Sequence, residues 1–210
     1  MKNAPTVLAL LLLVGTATAF AVTQRLKLEP SPISQTRVAK VFSPVCECDT
    51  DVARIQFALR RADHLRIAIR VAGQERVIAD AEFNRGAVHV AWDGRDASGA
   101  PVPDGTYFPV VHMLREQRTI DLPNPIVVDT RRPRIAYLGQ RTRSDKTIFL
   151  YRTSEPAHGL LFVNGRRRVY TYGTRRRGRL PFYGKIGAKT RLVLAAEDLA
   201  GNRSAPARVK

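Results

Sequence analysis

From Arg54 to Val71 apolar and polar side chains alternate, and this period of two most constrains what the chain can fold into. Ile55, Phe57 and Leu59 fall on one side, against Arg54, Gln56 and Arg60. Leu65, Ile67, Ile69 and Val71 then alternate with Arg66, Ala68 and Arg70. Successive side chains of a strand point to opposite faces, so each run has one buried and one wet face. The short link between the runs, residues 60–63, predicts a hairpin. Residues 72–75, "AGQE", predict the next turn.

The same pattern continues downstream. Val88, Val90 and Trp92 share a face, as do Phe108, Val110 and Leu114, and "IVVD" at 126–129 closes the set. After residue 131, "PRIAYL", "KTIFLYRT", "GLLFV", "RVYTY" and "TRLVLAAED" read as further strands, and Asn164-Gly165 is a strong hairpin signal. Short strands with regular turn signals are the pattern of an immunoglobulin-like β-sandwich. The predicted fold is all-β: two tandem immunoglobulin-like sandwiches over 37–130 and 131–210, with the seam near "DTRRPR", Asp129 to Arg134. Residues 25–36, with two prolines and no sustained period, read as a linker.

Charge divides the chain in the same place. Residues 1–130 carry 15 basic and 14 acidic groups, whereas residues 131–210 carry 20 basic and 4 acidic. A surface of one sign attracts polyanions. Its centre is "NGRRRVYTYGTRRRGRLPFYGK", where Arg166, Arg167, Arg168, Arg175, Arg176, Arg177 and Arg179 flank Tyr170 and Tyr172. Arginine forks beside tyrosines suit phosphate and stacking contacts. If 169–172 is a strand, Tyr170 and Tyr172 share one face. The competing reading is a solvated basic hairpin with tyrosines packed on arginine stems.

The compartment follows from residues 1–24, read as a signal peptide or membrane anchor. Ala4 to Val22 is uncharged and apolar, and it ends in small residues. That fits a cleaved export signal or a retained membrane helix. Both place the remaining chain outside the cytoplasm, with a slight preference for the anchor. There, lipid head groups and anionic envelope polymers rank ahead of nucleic acid as partners.

Two stretches carry a family resemblance. "VAWDGRDASGAPVPDGTYFPVV" resembles a repeat in the immunoglobulin-like domain of flagellar hook-capping proteins. The match is through Trp92, Gly94, Gly99, Val102, Pro103, Gly105 and Tyr107. "AAEDLAGNRSAPARV" resembles the last strand-turn-strand of bacterial immunoglobulin-like repeats, through Asp198, Gly201 and Asn202. The resemblance implies spacers, adhesion modules or scaffolds and no catalysis.

The residues agree with that implication. His64, His89, His112 and His158 have no metal-ligand spacing, and His64 falls in the expected hairpin connection. No nucleophile elbow or phosphate loop occurs. The chain therefore reads as a non-enzyme without a cofactor. Asp93, Asp96 and Ser98 form a weak calcium candidate, because one turn supplies several hard oxygens but no distal bidentate acid. Trp92 reads as a core plug.

Cys46 and Cys48 are the only cysteines. They lie in "FSPVCECDTD", which is similar through Phe42, Ser43, Pro44 and Asp51 to an acidic loop of related repeats. The cysteines stand where that loop has glycine or acid. An intramolecular disulfide ranks first in an exported chain. Free thiols, intermolecular pairing and a metal remain open. The functional expectation is a cell-envelope binding protein whose basic second sandwich touches anionic polymer or lipid. The alternative is a passive spacer presenting a protein-interaction surface.

Overall fold

The computed structural model describes residues 11–21, 24 and 30–209. Nine strands build the first sandwich. They are β1 (Ile33–Val38), β2 (Val41–Phe42), β3 (Ala53–Leu59), β4 (Asp63–Val71), β5 (Gln74–Phe83), β6 (Gly86–Trp92), β7 (Gly105–Met113), β8 (Arg118–Asp121) and β9 (Ile126–Val128). One sheet has the order β1-β3-β6. The other runs β2-β9-β7-β4-β5, with β8 also paired to β7.

The alternating residues of β3 and β4 are buried as expected, but the two strands do not pair. β3 is bracketed by β1 and β6, while β4 lies in the opposite sheet between β5 and β7. Alternation reports which face is buried, and both strands bury theirs in one core from opposite sides. The hairpin partner of β4 is β5. They join through Ala72 and Gly73, both at positive φ, as a two-residue turn of the primed type requires. His64 consequently lies inside β4, where Asp63–Val71 continues the ladder to β5 and β7.

The expected linker also ends earlier than read. Ile33–Thr36 belong to β1, with Ile33 buried and paired to Leu59. Two prolines precede this strand, where a missing N–H costs no ladder bond. The gain is a covered edge on β3.

Residues 11–21 are helical, with Leu11, Leu12, Leu13, Val14 and Phe20 exposed. Among the described residues no helix is long and apolar enough to cross a membrane. Residues 4–10 and Val22 of the apolar segment lie outside the described residues.

The second sandwich comprises β10 (Ile135–Thr142), β11 (Thr147–Val163), β12 (Arg166–Tyr170), β13 (Arg175–Phe182), β14 (Leu192–Glu197) and β15 (Ala207–Arg208). Two strands were expected across 146–163, but one long strand runs through. Its first part pairs with β10 and β13, and its last six residues pair with β14. β12 joins it at Leu160–Val163. The β13 register jumps between Arg152 and Ala157, where Pro156 sits without needing a ladder donor. β11 thus passes from one layer to the other around Phe149, Tyr151, Leu161, Val163, Leu180 and Leu194. The alternation pattern predicts no strand over β13. It is a strand because Gly178 and Leu180 form its inner face against β11, Gly178 opposite Tyr151.

A small seam joins the two sandwiches. Thr50 Oγ1 donates to the Ala200 carbonyl at 2.8 Å, and Asn202 Nδ2 donates to the Asp129 carbonyl at 2.8 Å. Ala200 and Asn202 are both buried.

Candidate polyanion-binding face

β13 sorts the second arginine run by alternation. Arg175, Arg177 and Arg179 point to one side and line an open cleft of about 760 Å³ with Tyr170 and Tyr172. Leu138, Leu150, Val169 and Pro181 supply its apolar surface. Arg176 falls on the other side of the strand. The register sets Arg177 opposite Arg152 of β11, and both are exposed. Sequence reading missed Arg152. Its only signal was its place one step beyond Tyr151 in an alternating run, and its neighbour depends on a strand pairing made across more than twenty residues.

The arginines of this face have no acidic partner. Among the described residues, Arg152, Arg175, Arg177 and Arg179 enter no ion pair, and in the second sandwich only Arg131 and Arg203 do. The acids lie elsewhere. Glu197 pairs with Arg203 at 2.7 Å, and Asp198 is buried in the turn before Asn202. Burial pushes the Asp198 carboxyl above its ordinary range. Burial, then the nearby charges of Asp129 and Asp198, raises Glu155.

The two tyrosines do not form a pair. β12 ends at Tyr170, so Tyr172 is outside the ladder. Tyr170 stacks on His158 at 4.7 Å, with Arg167 5.5 Å from its ring centre. Tyr172 is 97% exposed and stands free at the cleft. Arg166, Arg167 and Arg168 are exposed on β12 and do not line the cleft.

The first sandwich treats charge differently. Across the outer face of β4, β5 and β7, His64 meets Asp80 at 2.6 Å and Glu82 at 3.3 Å, and Arg66 meets Asp80 at 2.9 Å. His112 meets Glu75 at 2.7 Å, Arg115 meets Glu82 at 2.7 Å, and Arg70 pairs with Asp121. Its hydrogen bond to Asp80 holds His64 above the ordinary imidazole range, despite partial desolvation. The same contact depresses Asp80. Opposite charges face one another across these strands, in a part of the chain whose basic and acidic residues are nearly equal in number.

The Trp92 motif builds core. The indole packs between Phe42 at 5.3 Å and Tyr107 at 5.0 Å, and the Tyr107 hydroxyl donates to the Pro103 carbonyl at 2.8 Å. Gly94 lies at φ +65° beneath Phe42, whose ring would stand 2.7 Å from any Cβ there. Gly99 has positive φ in open space, and Gly105 opens β7.

The carboxylates of the calcium candidate are engaged in their own turn. Asp93 accepts from the Arg95 N–H at 3.0 Å. One oxygen of Asp96 accepts from the Ser98 hydroxyl at 2.6 Å, the Ser98 N–H at 2.9 Å and the Ala100 N–H at 3.0 Å. The Ser98 hydroxyl bond holds the Asp96 carboxyl below its ordinary range. No group of three potential metal ligands occurs among the described residues.

Cys46 and Cys48 are joined by a disulfide with sulfurs 2.07 Å apart. Thr50 Oγ1 lies 3.1 Å from Cys48 Sγ, and the loop faces Gly201 of the second sandwich. The cysteine loop is therefore part of the seam.

No protein-family model matches the chain, and no curated protein matches it. Among solved structures it is similar to fibronectin(III)-like modules of Clostridium thermocellum CbhA, at 12% identity over 82% of this chain and 90% of that one, TM-score 0.44. It is similar to the human OSCAR ligand-binding domain at 10% identity, over 84% and 96%, TM-score 0.38. A bacterial ice-binding adhesin structure matches at 15% identity, over 86% and 65%, TM-score 0.33.

Proposed function

We propose that this is an exported, non-catalytic protein of the cell envelope, whose basic second sandwich binds an anionic polymer or lipid head groups. The reading takes the two sandwiches, residues 33–130 and 131–210, as its domains and the N-terminal segment as their export signal or anchor. One observation carries it: the exposed guanidiniums of Arg152, Arg175, Arg177 and Arg179 lack ion pairs, while Glu75, Asp80, Glu82 and Asp121 on the outer face of the first sandwich are each paired. Such a face keeps its field for an external anion.

The hook-capping resemblance of Val90 to Val111 supports a second reading, a scaffold that presents a surface to a protein. Binding to anionic vesicles and to a soluble anionic polymer across a salt series separates the two. A polyanion binder weakens steeply as screening shortens to about 8 Å at physiological salt. Absence of binding to either at low salt refutes the first reading and leaves the scaffold.

A further inference from the structure

We infer that the face on β13 is a charge ladder for one extended phosphodiester-linked chain lying along the strand. This rests on the polyanion reading and names its ligand class. Alternate residues of a strand are separated by about 6.7 Å. The side chains of Arg175, Arg177 and Arg179 therefore leave one face of β13 at backbone steps of about that length, one guanidinium to each step. Successive phosphates in an extended sugar–phosphate or polyol–phosphate chain are one short linking unit apart, a comparable distance. Each guanidinium fork can take one phosphate.

Three observations favour a strand-like ligand over a head-group plane. The row lines a cleft, and a flat surface meets what protrudes before what lines a recess. Arg152, outside the cleft lining, lies opposite Arg177 in the strand register and offers a second donor at the middle step. Like charges directly opposite one another in a sheet destabilise it, so this pair needs an anion between its members more than any other part of the face. Tyr172 stands free at the cleft, where it can cover a sugar or polyol unit between phosphates. Arg176 is the internal control, because it shares the sequence run but not the face.

The experiment uses the full chain and a short fluorescent sugar–phosphate oligomer without bases, titrated by anisotropy at several salt concentrations. Vesicles containing an anionic phospholipid are measured in parallel. The parent protein is expected to bind the oligomer. Each of Arg175→Gln, Arg177→Gln and Arg179→Gln lowers the slope of log affinity against log salt by roughly 0.7, the value for one phosphate contact on a single strand. Arg176→Gln leaves that slope unchanged. Arg177→Gln also removes a like-charge pair, so its melting temperature is at or above the parent's, which separates lost binding from lost folding. Equal losses from Arg176→Gln and the ladder variants would overturn the ladder and leave general polyanion binding intact. Binding to vesicles without binding to the oligomer would overturn it in favour of a membrane surface. Binding to neither refutes both the ladder and the polyanion reading.

Discussion

Gly201→Ala tests whether the cysteine loop and the second sandwich form one interlocked seam. Gly201 sits at φ +90°, and a Cβ there would overlap Cys48 Sγ and Thr50 Oγ1, with Cys46 Sγ at 3.4 Å. The backbone conformation alone costs an L-residue about 1–3 kcal/mol. The disulfide ring and the Thr50 bond leave little room to retreat, so the seam must part. Parting breaks the Thr50–Ala200 hydrogen bond, which is worth about 1 kcal/mol. The expected loss is therefore about 2–4 kcal/mol, read from urea denaturation by far-UV circular dichroism. Gly99→Ala is the matched control, because Gly99 has φ +83° with open space around its Cβ position. It should show the backbone cost without the collision. Thr50→Ala removes both the hydrogen bond and one of the overlapping atoms, so its combination with Gly201→Ala should destabilise less than the sum of the two. Reduction of Cys46–Cys48 should also shrink the Gly201→Ala penalty, since separate thiols can turn away. A Gly201→Ala protein as stable as Gly99→Ala, or additivity with Thr50→Ala within about 0.5 kcal/mol, would refute the interlock.

Trp92→Ala should cost about 3–5 kcal/mol, since it empties the space between Phe42 and Tyr107; Trp92→Phe should cost less, because the buried Nε1 has no hydrogen-bond partner to lose. Denaturant midpoints measure both. Protonated His64 is favoured by the fold, so its stabilising contribution is full below about pH 6.5, the unfolded value, and fades as pH rises through the raised folded value. His64→Gln should flatten the corresponding fall in melting temperature between mildly acidic and mildly alkaline pH, and an unchanged profile would assign the fall to other groups. Intact mass should lie about two hydrogens below the dithiol form, with alkylation only after reductant; alkylation of the native protein would remove the disulfide from the seam.

Local rules explain how much was legible in advance. Burial of Ile55, Phe57 and Leu59, the turn at Asn164-Gly165 and the packing of Trp92 depend on side-chain period or on backbone preference, which neighbouring residues display. The strand at Arg175–Phe182 was hidden, because three consecutive arginines look like a loop until Gly178 and Leu180 are seen to serve Tyr151 and the core. The strand at Gln74–Phe83 was hidden for the opposite reason. It lies at a sheet edge, and its faces are too evenly exposed to show a period.

The chain by itself determined the all-β character, the turns and the concentration of positive charge after residue 131, because each is a property of composition or short-range order. Only the tertiary structure decided that β3 and β4 face one another instead of pairing, since alternation specifies a buried face and is silent about the neighbour. Tertiary structure likewise turned seven clustered arginines into one row of three, added Arg152 beside it and set Arg176 apart. Strand register assigns side chains to faces, and register comes from pairings between segments far apart in sequence.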